Sequence, residues 1–247
     1  MYEPRTYRDK MIAEGLVSFR VVIKETDLHI SACRELKKEA EDAVRKYRQD
    51  LEGFIVKQPV FLSSLKPLDV PPTAPYIVKR MSEAAQKADV GPMAAVAGAI
   101  AELVGKELEP LSREIIVENG GDIFIHTLKF RTIAIFAGDS PLSNRVGIEI
   151  SPEQSPLGVC ASAGKVGHSL SFGSAEAVVV LSKDTALADA AATSIGNKVR
   201  KVADIEKALN WGKTVDGILG IIVIKEDQVG AWGDLKLIPF SEQDPST

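Results

Sequence analysis

Apolar, β-favouring residues fill Leu16 to Lys24 and Leu28 to Ala32, and the polar Glu25-Thr26-Asp27 separates the two runs. That pattern predicts a hairpin. The spacing then changes: Leu36, Ala40, Ala43, Tyr47, Leu51 and Phe54 recur every three or four residues, so Glu35 to Val56 is expected to form a long amphipathic helix with a solvated Lys and Glu face. Pro59, Pro67, Pro71, Pro72 and Pro75 make Gln58 to Pro75 an irregular connection. A connection of that length is either lid-like or a plain surface crossover. Ile77 to Lys87 and Met93 to Leu108 read as helices, the second with Pro92 in its first turn. Its small residues Ala94, Ala95, Ala97, Gly98, Ala99 and Ala101 imply close packing on another backbone. Strands are expected over Glu114 to Val117, Ile123 to Thr127, Thr132 to Phe136, Val146 to Ile150, Gly158 to Ala161 and Ala177 to Leu181. A helix capped by Asp184 runs to about Val199, and a second covers Asp204 to Trp211. Strands close the chain at Gly217 to Lys225, Gln228 to Trp232 and Leu235 to Pro239. Helices and hairpins are segregated, which favours an α+β fold. One domain over residues 1–247 is expected, with 241–247 a frayed polar tail.

Composition narrows the function classes. The 247 residues are 45% hydrophobic and 26% charged, enough for a sizeable core. A net charge of −4 leaves no basic footprint, which argues against nucleic acid as a partner. Cys33 and Cys160 are far apart and form no C-x-x-C, as expected in a reducing compartment. The polar start of the chain shows no apolar signal region, and the longest apolar runs, such as Gly217 to Ile224, are too short to span a bilayer. The expectation is a cytoplasmic protein without a membrane partner.

Four segments are able to carry chemistry. The glycines of Asn119-Gly120-Gly121-Asp122 permit positive φ and close approach to the backbone. The segment reads as a tight hairpin turn or as a glycine loop beside a ligand, with Asp122 orienting a group there. Cys160 to Ser169 combines small residues and hydroxyls, including Ser162 and Gly164, with Lys165 and His168, a set suited to phosphate. It lacks Walker A spacing. His168 is a candidate catalytic group or a solvated side chain, and Cys160 a reactive thiol or a small buried residue. Gly91-Pro92-Met93 opens a helix, where free N–H groups attract anions, or it is ordinary Pro-led initiation. Asp189 and Thr193 lie four apart in an alanine-rich helix, hence on one face. A carboxylate and a hydroxyl so placed suit Mg²⁺ with a phosphate beside it. The alternative is a packed helix with Thr193 bonded back to a carbonyl. A zinc-type cluster, a G-x-S-x-G elbow and a dinucleotide G-x-G-x-x-G are absent.

Taken in order, Gly120-Gly121-Asp122, the small, hydroxyl-bearing loop after Cys160 and the A-D-A-x-x-T of residues 188–193 resemble the ApbE family of FAD:protein FMN transferases. The Leu16 to Leu28 block, Gly91-Pro92-Met93-Ala94-Ala95-Val96-Ala97-Gly98 and Gly167-His168-Ser169-Leu170-Ser171-Phe172-Gly173 are similar to a cytoplasmic branch of that superfamily from archaea and anaerobic bacteria, over nearly the whole chain. The resemblance implies an ApbE-like α+β fold, with mixed or antiparallel sheets packed with helices. It implies Mg²⁺ held by Asp189 and Thr193 with a backbone carbonyl near Ala88 to Gly91. It places FAD or FMN beside Asn119, Gly120 and Gly121, the Gly91-Pro92-Met93 helix start, and Ser162 with Gly164. Asp122 and His168 are then the candidate catalytic residues, and the reaction is metal-assisted transfer of FMN to a hydroxyl. Two departures stand out: Ala161 replaces a loop threonine, and His168-Ser169-Leu170-Ser171-Phe172 replaces the family's H-x-x-D-P. Members of the branch have been associated with sulfide assimilation, so a sulfur-handling role through Cys160 is a second reading and a non-catalytic binding module a third. The expected partner is a small nucleotide or flavin. The small-residue helix from Met93 to Leu108 suits a homodimer interface and a tight monomer core equally.

Overall fold

The computed structural model describes residues 13–164 and 173–240. Strands β1 (Val17–Ile23) and β2 (Thr26–Ala32) form the expected hairpin. Helix α1 (Lys37–Lys57) buries Ala40, Ala43, Val44, Tyr47, Leu51 and Phe54, the stripe that its spacing predicts. The proline-rich connection is not wholly irregular: it contains one helical turn, α2 (Val60–Ser63). The turn is anchored by Phe61, which is buried and packs edge-to-face on Phe54 with ring centroids 5.2 Å apart. Helix α3 (Tyr76–Ala88) ends at Asp89, whose φ is 54°. The next helix starts later than Met93. A 3₁₀ turn over Pro92–Ala95, closed by Ala94 N–H donating to the Gly91 carbonyl at 3.1 Å, precedes α4 (Val96–Leu108).

The remaining strands are β3 (Ile115–Asn119), β4 (Asp122–His126), β5 (Arg131–Ala134), β6 (Val146–Ile150), β7 (Leu157–Ser162) and β8 (Ala177–Ser182). Helix α5 (Thr185–Gly196) follows, capped as expected by the Asp184 carboxylate, which accepts the Leu187 N–H at 3.1 Å. It stops three residues before Val199. Helix α6 (Ile205–Gly212) and strands β9 (Ile218–Lys225), β10 (Gln228–Gly233) and β11 (Lys236–Pro239) complete the described chain. Eight strands form one sheet in the order β1-β2-β3-β4-β7-β8-β9-β10, and β11-β6-β5 form a second. Every pairing among the described residues is antiparallel. The architecture is α+β.

Strand alternation splits the interior in two. Val178 and Val180 of β8, Phe124 of β4 and Cys160 of β7 face the helices. Val179, Leu181, Ile123, Ile125 and Val159 face Ile148 and Ile150 of the small sheet. Because the central strands are buried on both sides, β8 reads as an unbroken apolar run. The same alternation puts Asp122 on the helix side with Phe124. Among the described residues no single helix is long and apolar enough to cross a membrane.

Candidate functional site

The site begins at the two-residue turn between β3 and β4. Asn119 pairs with Asp122 across it, and Gly120 and Gly121 take φ of 70° and 104°, which side chains rarely adopt. The Gly121 N–H donates to Glu118 Oε1 at 2.8 Å, and Asn119 Nδ2 donates to the Ala97 carbonyl at 3.1 Å. The second bond ties the turn to the first turn of α4. Asp122, on the helix side of β4, pairs in register with Cys160 of β7.

Helix α5 brings Asp189 and Thr193 to this region, 8% and 7% exposed. Its crossing with α4 is close at Gly98, where a Cβ would lie 2.4 Å from the Thr185 carbonyl and 2.8 Å from Asp189 Cβ. Asp189 Oδ2 accepts the Gly98 N–H at 2.8 Å, while Glu102 Oε2 of α4 accepts the Thr185 N–H of α5 at 2.8 Å. Each helix therefore caps the other's free amides with a carboxylate. The amino terminus of α4 already holds an anion, and that anion is Asp189. Gly98 and Glu102 were not singled out from the sequence. The signal for Gly98 was present in the small-residue stripe; nothing local marks Glu102 as a cap for a distant helix.

Burial dominates the electrostatics. It pushes Asp189 up to about 7, against the Gly98 and Ala97 amides, which hold it down. Asp122 is raised well above the usual carboxylate range by burial first and then by the charge of Asp189; the Cys160 thiol and the Ala161 amide oppose this. Among the described residues no basic side chain pairs with either carboxylate, and Asp122 Oδ1 is buried without a hydrogen-bond partner. The Cys160 thiol is also pushed up, by burial and then by the two carboxylates. It is fully buried, 3.4 Å from the Thr185 carbonyl. A protonated, inaccessible thiol is a poor nucleophile, which weighs against direct sulfur chemistry at this residue.

Asp122, Cys160 and Asp189 thus meet as one buried polar group on the helix side, with Thr193 one turn along α5 from Asp189 and the exposed Gly120 and half-buried Gly121 in the turn just before Asp122. Ser162 ends β7 toward the other end of α5, with its Oγ beside Gly196. Gly164 donates its N–H to the Ala175 carbonyl at 2.9 Å. Gly91 is buried beneath the proline-rich connection, where a Cβ would sit 1.8 Å from the Ser64 carbonyl. Pro92 is buried and Met93 half-buried in the 3₁₀ turn, which packs on α5. His168 lies outside the described residues. Among the described residues no three His, Cys, Asp or Glu side chains gather as a metal cluster.

The family model described as "AbpE bacteria" matches residues 9–231. A UPF0280 protein of Methanocaldococcus jannaschii is 43% identical over 222 residues, 87% of this chain and 90% of its own. A UPF0280 protein of Methanosarcina acetivorans is 42% identical over 205 residues, 82% of this chain and 81% of its own. Among solved structures, the apo flavinyl transferase ApbE of Pseudomonas stutzeri matches with a TM-score of 0.58 at 14% identity, covering 88% of this chain and 94% of that one. The ApbE protein of Thermotoga maritima matches at 0.52 and 11% identity, covering 87% and 96%. At such identities the structural likeness speaks for the fold. The chain belongs to the AbpE bacteria family, a branch with archaeal relatives that has the ApbE-like fold.

Proposed function

We propose that the chain binds Mg²⁺ through Asp189 and Thr193, and with it the phosphates of a flavin or related nucleotide, as an FMN-transferase-like enzyme. The observation that carries the reading is a pair of buried carboxyl groups, Asp122 and Asp189, each disfavoured in its charged form, which no described basic side chain neutralises. Burying like charges without a counterion is costly. The available donors are carboxylate and hydroxyl oxygens, which suit a hard cation and not a thiophilic one. The fold shared with the Pseudomonas stutzeri flavinyl transferase supports a flavin as the ligand.

A bound Mg²⁺ supplies charge neutralisation at a phosphoryl group. The chain's own residues do the rest. Gly98 N–H fixes the Asp189 carboxylate, so the ligand oxygen does not need reorientation when a cation arrives. Gly120 and Gly121, without side chains, let a ligand approach the backbone of the turn. Ser162 and Gly164 at the end of β7 are proposed contacts for its polar edge, with the Gly91-Pro92-Met93 turn on the α5 side. His168 is proposed for proton transfer on its chemistry alone.

Titration calorimetry of the full chain with FAD tests the reading. Binding should require Mg²⁺, and a ligand present at about 100 times its Kd should stabilise the fold by about 2.7 kcal/mol. Asp189→Ala should abolish both effects. Absence of FAD binding in the presence of Mg²⁺ overturns the proposal.

A further inference from the structure

We infer that Asp122 is a direct ligand of the cation, so that the site is closed by a carboxylate from the sheet as well as by Asp189 and Thr193 from α5. This rests on the cation reading above and gives a role to a residue which that reading leaves outside the metal shell. Asp122 is the first residue of β4 and is 6% exposed. Its Oδ1 is sealed from water and accepts no hydrogen bond from any described group. Buried polar atoms are nearly always paired, and an unpaired carboxylate oxygen is among the most costly exceptions.

The neighbouring donors account for why nothing nearby fills the gap. Asn119 Nδ2 is committed to the Ala97 carbonyl, the Gly121 N–H to Glu118, and the Gly98 N–H to Asp189. Cys160 has one proton to offer and lies within reach of both Asp122 and the Thr185 carbonyl. The backbone holds Asp122 in place from two sides, through its pairing with Asn119 and with Cys160. An oxygen atom that is fixed, dry and unsatisfied, beside a second carboxyl group, is what a cation-binding pocket presents before its ion arrives, and the ion displaces the proton that burial holds on Asp122. A cation shared by Asp122 and Asp189 would satisfy the orphan oxygen and cancel the repulsion together.

The test uses Mn²⁺ alone as an oxygen-seeking probe of the full chain. Free Mn²⁺ is counted by electron paramagnetic resonance, beside melting curves without metal. Asp122→Asn keeps the shape and removes the charge. It should weaken Mn²⁺ binding at least tenfold and leave the metal-free Tm equal to or above that of the wild type, because it removes a buried titratable group whose Oδ1 has no partner. Asp122→Ala should show the same loss of affinity in the folded fraction. If both variants bind within twofold of wild type while Asp189→Asn does not bind, Asp122 is no ligand and the cation reading survives. A drop in metal-free Tm with unchanged affinity marks a purely structural residue and also overturns the inference. If the wild type takes up no Mn²⁺, the cation reading and this inference fall together.

Discussion

Asp189 has two jobs that pull its protonation in opposite directions. As the cap of α4 it is best ionised, since it accepts the Gly98 N–H. As a buried group beside Asp122 it resists ionisation, and burial carries its pKa up to about 7. The unfolded chain releases that proton near pH 4. Above about pH 4 the folded state holds more protons, so stability falls as pH rises through about 7, and Asp122, raised well above its usual range, adds to the same decline. Urea unfolding of cation-free protein should show that decline, and Asp189→Asn should lessen it while the part due to burial of Asp122 remains. Stability that instead rises across the window would contradict the burial of this carboxylate. Little of this was legible in the sequence: the four-residue spacing put Asp189 and Thr193 on one face, but Gly98 as the carboxylate's partner lies 91 positions away.

At the scale of elements, the apolar pattern located nearly every helix and strand: α1 buries one regular stripe, and β8, buried on both faces, is one unbroken apolar run. The errors fall where a distant contact decides. In the connection after α1, the prolines argue for irregular chain, yet Phe61 finds Phe54 and fixes a helical turn. At Met93 the expected α-helix begins as a 3₁₀ turn because the amides of α4 are captured from α5, a partner invisible to local pattern. Phe61→Ala tests the first point. Loss of a fully buried ring costs about 3–5 kcal/mol where the surroundings cannot collapse. Since Phe61 anchors a single turn, the loss should appear first as local opening. Limited proteolysis should then cut within residues 58–75 well before the rest of the chain; an unchanged cleavage pattern would show that the prolines hold the connection unaided.

For the molecule as a whole, the decisive feature is that one sheet serves two interiors. Val178 and Val180 pack under the helices while Val179 and Leu181, on the same strand, pack on the small sheet. Melting the helix layer would expose one face of β8 to water, and melting the small sheet would expose the other. At about 25 cal/mol per Å² of apolar surface, either half-melted state leaves a formerly buried face of β8 in water at a large penalty. The site straddles the same join: Asp122 belongs to β4 and Asp189 to α5, so the pocket exists only while sheet and helix layer are docked. The expected outcome in calorimetry is therefore one unfolding transition, with calorimetric and van't Hoff enthalpies in agreement. Loss of cation binding should track that transition and not precede it. Two resolved transitions would mean that the small sheet, β11-β6-β5, melts apart from the layer that carries the site.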